Sequence, residues 1–187
     1  EVRIGAASGA LWSVTTTVTS NGSVNSMHDS TMPLSGMIEM LNMQINTWFG
    51  GVGVGWMNYY TFIIIAVFIS GLMVGRTPEF LGKKVEAREM KIASLVALLH
   101  PFVILVFTAI ACYALVHLPG FVSSDSNGGM WLNNPSFHGL SEMLYEYTSC
   151  AAINGSGFEG LGDNTYFWNW TCGIAVSYTH LTLPTIL

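Results

Sequence analysis

Long apolar blocks separated by polar, glycine-rich stretches set the plan of this chain. Residues 59–75 (YYTFIIIAVFISGLMVG) and 92–118 are apolar on every side, without the stripe of a surface helix or the alternation of a half-buried strand. A helix apolar all round is buried in lipid or in a large core, and a run of roughly 20 such residues is long enough to cross a hydrocarbon layer about 30 Å thick. Tyr59 and Tyr60 stand where a membrane interface would place aromatic rings. Pro101 is tolerable inside the second run, because neighbouring helices in a membrane can satisfy the carbonyl it frees. Four shorter segments flank these spans. Residues 4–19 (IGAASGALWSVTTTVT) read as a half-spanning helix, too short and too polar at the end to cross. Pro33 can open a helix, and residues 34–49 mix Glu39, Asn42, Gln44 and Asn46 with Met and Leu, as an interfacial or cavity-lining helix would. Residues 138–149 (HGLSEMLYEYTS) form another short helical candidate, and 166–176 open an apolar segment that stops before it could cross. The pattern predicts an all-α membrane protein that combines transmembrane helices with re-entrant half-helices.

Composition agrees with lipid as the main solvent. Of 187 residues, 51% are hydrophobic and 9% charged, against about a quarter charged in an ordinary soluble domain. No charge lies between Glu39 and Arg76, between Lys91 and Asp125, or after Asp163. Arg76, Lys83, Lys84, Arg88 and Lys91 hold all the basic charge except Arg3. Because basic residues collect in short cytoplasmic loops, residues 76–91 read as a cytoplasmic connection between the two spans. Within it, Thr77 and Pro78 look like a helix start, and Glu79 with Lys83 would support a short surface helix. A nucleic-acid patch is disfavoured, since Glu79, Glu86 and Glu89 interleave with the basic residues. Cys112, Cys150 and Cys172 are far apart with neither zinc nor redox spacing, and read as small packing residues. The opening residues show no cleavable leader pattern, and the chain is expected to be a piece of something longer.

Chemistry concentrates at the glycines. Asn21, Gly22 and Ser23 recur as Asn154, Gly155 and Ser156, 133 positions later, each copy after a short Thr- or Ser-rich helical candidate and before a polar turn. Half-helix, glycine-bearing loop and following span form the unit from which cation filters are built. A potassium ion leaving water must be recoordinated by several oxygens at once, and backbone carbonyls supply them without a fixed charge that would hold the ion too tightly. Glycine permits the dihedrals that aim such carbonyls, and the hydroxyls of Thr19, Ser20, Ser23, Ser149 and Ser156 can add oxygens or brace the loop. Each copy alone also reads as a surface turn, and Asn21, Asn154 and Asn169 open formal glycosylation sequons. Gly50, Gly51, Gly53 and Gly55 interrupt the chain within six residues, as either an ordinary outer loop or a functional helix break. His28 and Asp29 read as a solvated loop pair, His100 as a satisfied buried histidine, Glu39 and Glu159 as exposed carboxylates able to draw cations, and Met40 and Met43 as packing. No phosphate-binding loop, kinase signature or Ser/His/Asp arrangement is evident, so any energy source belongs to another chain.

These residues carry a resemblance. SNGSVNSMHDS (20–30), FGGVGVG (49–55), GLMVGRTPEFLGKKVEAREMK (71–91), HGLSEMLYEYTS (138–149) and NGSGFEGLGDN (154–164) resemble the KdpA family, the potassium-binding subunits of the bacterial Kdp potassium-importing ATPase. That resemblance implies potassium-channel-like repeats of helix, filter loop and helix, of which residues 1–75 would be the third, 76–91 a cytoplasmic loop, and 92–175 a span, outer loop and truncated fourth repeat. Thr19, Ser20, Asn21, Gly22 and Ser23 would form the third filter strand, and Ala152, Ile153, Asn154, Gly155 and Ser156 the fourth. Gly50, Gly51, Gly53 and Gly55 would be a broken, gating helix beneath the filter. Ile153 departs from the family's usual asparagine and Tyr166 from its common proline. Residues 176–187, ending in SYTHLTLPTIL, do not resemble the family's continuing helix and are expected to be a non-native tail. The implied function is that of a non-hydrolytic, potassium-selective subunit of a P-type ATPase complex, with potassium as substrate and no organic cofactor. Its implied partners are the ATP-hydrolysing and small accessory Kdp subunits and the lipid bilayer, in a bacterial inner membrane with the filter loops outside. A passive channel or Trk-like symporter subunit is the alternative, and a structural subunit whose glycines serve only turns is a third reading.

Overall fold

The computed structural model describes residues 3–47, 49–126 and 130–182. It is built of helices: α1 (Ala6–Val18), α2 (Pro33–Ile45), α3 (Val54–Val74), α4 (Ala87–His117), α5 (Pro119–Asp125), α6 (Phe137–Ala151) and α7 (Tyr166–Thr182). Two strands of two residues each, β1 (Glu79–Phe80) and β2 (Lys83–Lys84), pair antiparallel between α3 and α4. α3 packs on α4, α1 on α2, and α6 receives α2, α4 and α7.

The two long helices are the two apolar blocks. α3 and α4 are long and apolar enough to cross a membrane; their 21 and 31 residues give lengths of roughly 31 and 46 Å at 1.5 Å per residue. Leu72, Met73, Leu98, Phe102, Leu105 and Val116 stand exposed, an apolar belt suited to hydrocarbon. Inward, Val103, Ile104, Ala111 and Ala114 of α4 are buried, and the alanines let α6 and α7 approach closely. α4 starts with a capping box in which the carboxylates of Glu86 and Glu89 each accept the other residue's backbone N–H, satisfying two donors that every helix start leaves open. Pro101 lies inside it without ending it.

The segment before α4 departs from expectation. Residues 79–84 form a hairpin rather than a surface helix, with Leu81 (φ 51°) and Gly82 (φ 74°) at its tip. Two successive left-handed residues define the turn whose twist suits paired strands, and this outweighs the weak Glu79–Lys83 helix pairing. Pro78 packs against Gly71 so closely that a methyl there would lie 2.9 Å from its Cβ, and Phe80 meets Tyr60 edge to face. The hairpin is therefore folded back on α3. α5 follows directly on α4, where only a loop is expected between the span and the fourth repeat.

α2 starts at Pro33, as the sequence predicts, with the ring in the first helical turn. It ends at Asn46 in the left-handed region (φ 45°), a conformation asparagine tolerates better than most residues. Between α6 and α7 the chain folds over an aromatic cluster. Trp131 stacks on Phe167 at 4.5 Å, meets Trp168 edge to face, and accepts the Gly162 N–H on its carbonyl at 2.7 Å. That cluster fixes residues 130–136 against the helix pair that carries the second glycine loop.

Candidate functional site

The two glycine loops meet. A methyl group on Gly22 would overlap the carbonyl oxygen of Asn154 and lie 3.2 Å from the Gly155 carbonyl carbon, so only glycine allows this approach. Each loop leaves the end of a half-helix, α1 or α6, by the same route. Ser20 (φ 54°) and Gly22 (φ 81°) match Ile153 (φ 57°) and Gly155 (φ 90°), with residues of negative φ between them. Thr19 N–H donates to the Thr15 carbonyl at 3.0 Å and Asn21 N–H to that of Thr16 at 3.1 Å; Ala152 and Asn154 donate to Thr148 and Ser149 at 2.9 Å each. In both loops the asparagine Oδ1 then accepts the N–H of the serine two residues on, at 3.1 Å for Ser23 and 3.0 Å for Ser156. This is the local turn that asparagine side chains make with their own backbone.

The second loop shows what this wiring does. Ile153 N–H donates to the Cys150 carbonyl at 3.1 Å and Gly155 N–H to Ser149 Oγ at 3.0 Å, so every N–H from Ala152 to Ser156 is taken up by the chain behind it. The carbonyl oxygens are left as the groups on offer. Asn154 also reaches across, its Nδ2 donating to the Thr16 carbonyl at 2.7 Å. The four glycines after α2 lie against the first loop: a methyl on Gly51 would stand 3.3 Å from Ser20 Cβ and 3.5 Å from the Thr19 carbonyl oxygen. Gly50 and Gly55 touch backbone to backbone around the 3-10 turn Gly51–Gly53. α2 and α3 are thus two helices joined by a glycine kink under the first loop.

Several polar residues expected at the surface are buried instead. His28 and Glu39 are 1% and 0% exposed. His28 Nδ1 lies 2.8 Å from Tyr145 Oη and 3.7 Å from Glu39 Oε2; Tyr145 Oη in turn lies 2.9 Å from Ser156 Oγ. Ser13 Oγ and Ser35 Oγ donate to Glu39 Oε1, the latter at 3.3 Å. A buried carboxylate and imidazole need such company, because an unpaired charge or polar group in the interior is costly. Ser35 is one helical turn from Glu39, but Ser13 and Tyr145 lie 26 and 117 residues from their partners, beyond what local sequence can supply. Glu159 is exposed as expected, yet its two oxygens accept the backbone N–H groups of His28 and Asp29 at 3.3 and 3.1 Å, tying the two loop regions together. Asp29 pairs with His138, and beside them Glu142 accepts from Asn134 Nδ2 at 3.0 Å. Burial pushes the Glu142 carboxyl above the usual carboxylate range. His100 Nε2–H donates to the Met43 carbonyl at 3.3 Å, the satisfied histidine expected, and Met43 is core. Two of the cysteines are more than packing: Cys150 and Cys172 both point their thiols at Glu146.

Comparison with known proteins places this geometry in context. The sequence matches the family of KdpA, the potassium-transporting ATPase A subunit, over residues 1–183. It is 84% identical over 176 residues to a potassium-transporting ATPase potassium-binding subunit of Bacteroides thetaiotaomicron, covering 94% of this chain and 30% of that relative. It is 79% identical over 176 residues to the subunit of the same name from Parabacteroides distasonis, with the same coverage. It is 63% identical over 178 residues to that of Flavobacterium johnsoniae, covering 94% of this chain and 31% of the relative. The chain therefore spans about a third of the length of the curated relatives it matches.

Proposed function

Since the chain belongs to the KdpA family of potassium-transporting ATPase A subunits, we propose that it supplies part of the potassium path of an ATP-driven importer, its two glycine loops contributing carbonyl oxygens to one ion filter. The observation that carries this reading is the second loop's wiring, in which the N–H groups of Ala152, Ile153, Asn154, Gly155 and Ser156 are all engaged from behind. Carbonyl oxygens left over in this way are what a dehydrating monovalent cation requires. The first loop repeats the positive φ at Ser20 and Gly22 and touches the second at Asn154. Potassium is the substrate, and ATP hydrolysis belongs to a partner subunit. Two loops are half of a fourfold ring, so the whole filter needs the parent chain.

In this reading the loops face outward, the hairpin 79–84 with its basic surroundings lies on the cytoplasmic side, where positive residues collect, and α3 and α4 cross a bacterial inner membrane. The cytoplasmic face meets the ATP-hydrolysing subunit, with small accessory subunits alongside. The glycine kink between α2 and α3 acts as the gate below the first loop, a role supported by the contact of Gly51 with Thr19 and Ser20.

Growth on limiting potassium tests the proposal. A strain without its own high-affinity uptake, given the parent subunit and its partners, grows with wild type and needs more potassium with Gly155→Asp. Equal growth of the two at every potassium level would reduce the loop to a turn.

A further inference from the structure

Behind the second loop, α6 and α7 bring three metal-ligating side chains together that no sequence spacing announces. Glu146 and Cys150 are four residues apart on α6 and so share one helix face; Cys172 meets them from α7. Cys150 Sγ lies 3.5 Å and Cys172 Sγ 3.7 Å from the same oxygen, Glu146 Oε1, and all three ligand atoms lie within 4.8 Å of one another. Cys150 is buried and the other two are half-buried. A carboxylate this enclosed is costly to ionise without partners, and the two thiols supply them.

The spacing fits a particular chemistry. A tetrahedral ion bound at about 2.0 Å to oxygen and about 2.3 Å to sulfur has an oxygen-to-sulfur edge of about 3.5 Å, close to both distances found here. Two thiolates select against magnesium, calcium and potassium, which take oxygen, and favour zinc and its softer congeners. Glu146 Oε2 also lies where a methyl on Gly157 would be 2.9 Å away, so the carboxylate sits directly under the residue that follows the loop.

We propose that Glu146, Cys150 and Cys172 form a binding site for a thiophilic divalent cation of the zinc and cadmium class, joining α6 to α7 behind the second glycine loop. On binding, the two thiol protons leave to solvent, two thiolates and the carboxylate take three corners of the tetrahedron, and water takes the fourth. The site uses no group of the proposed ion filter: its ligands are side chains of α6 and α7, outside residues 152–156.

Cadmium titration of the full-length subunit, purified in detergent and kept reduced, reads the site directly. The expected result is a sulfur-to-metal charge-transfer band in the ultraviolet that saturates at one ion per chain, with the loss of two thiols to a thiol reagent. Cys150→Ser and Cys172→Ser each abolish the band, and Glu146→Gln weakens binding by at least the roughly tenfold that losing even an outer partner of a metal site costs. Cys112→Ser leaves it unchanged. No band, with both thiols free and reactive in the folded wild type, overturns the proposal; so does finding both thiols blocked until a disulfide reductant is added. Because the readout is spectroscopic, loops that carried no potassium would leave the result standing.

Discussion

Two stretches of the molecule are built on one frame and filled differently. α2 starts at Pro33 and α7 at Tyr166, the same 133 residues apart as the two Asn-Gly-Ser copies, and the register holds through the half-helices before them. Trp12 corresponds to Tyr145, and both touch the serine of their own loop: Trp12 Nε1–H donates to the Ser23 carbonyl at 3.0 Å, and Tyr145 Oη lies 2.9 Å from Ser156 Oγ. Ser13 corresponds to Glu146 and Glu39 to Cys172. In the first stretch the serine of α1 donates to a carboxylate on α2; in the second a thiol of α7 donates to a carboxylate on α6. A carboxylate behind the loop is thus kept while the helix that carries it is exchanged, as is possible where two positions face each other across a helix pair. The company changes as well, hydroxyls and an imidazole for Glu39, two thiols for Glu146. In the first loop Asn21 and Ser23 are exposed, whereas their counterparts Asn154 and Ser156 are only 5% and 2% exposed.

Glycine substitution separates the two loops most strongly. Gly22→Ala drives a methyl into the Asn154 carbonyl and displaces both loops, so the half-saturating potassium of the assembled transporter should rise by well over about tenfold, or about 1.4 kcal/mol. Gly155→Ala meets open space and bears only the strain of a left-handed side-chain-bearing residue, roughly 1–2 kcal/mol. Equal damage from the two, in potassium-dependent ATP hydrolysis, would break the asymmetry argued here. Asparagine truncation comes next. Asn154→Ala strips a buried acceptor from Ser156 and the donor to Thr16 and should lower stability by about 1–3 kcal/mol. Asn21→Ala removes an exposed turn contact and should cost less than about 1 kcal/mol; chemical denaturation of the subunit compares them. The smallest effect is a pH dependence. Because the Glu142 carboxyl is raised by burial, the folded chain holds more protons there than the unfolded one. Its stability should therefore fall as pH rises from the ordinary carboxylate range through the raised value. Glu142→Gln, beside Asp29 and His138, should flatten that slope in thermal melts, and an unchanged slope would remove Glu142 as its source.

Much of the scaffold could be read from the chain. Uninterrupted apolarity gave α3 and α4, which begin five residues earlier than expected because Val54 to Asn58 and Ala87 to Lys91 continue the helices past the apolar cores. Pro33 marked α2, and the repeated Asn-Gly-Ser marked both loops, since glycine and asparagine report backbone needs that are local. What stayed hidden was every feature set by distant contact. The hairpin 79–84 depends on Pro78 meeting Gly71 and Phe80 meeting Tyr60. The burial of His28 and Glu39 depends on Ser13 and Tyr145, and the convergence of Cys150 and Cys172 on the packing of α7 against α6. One signal was available: extending the 133-residue register beyond the loops sets Glu39 opposite Cys172 and Ser13 opposite Glu146.

The claim that the two loops serve one ion is tested most directly by a double-variant cycle on half-saturating potassium in the purified complex. Gly22→Asp and Gly155→Asp are each measured alone and then combined. Loops in contact around one ion are coupled, so each single change should raise the value by at least about tenfold and the pair by clearly less than the product of the two. Single variants with wild-type potassium dependence, or fold-changes that simply multiply, would contradict it.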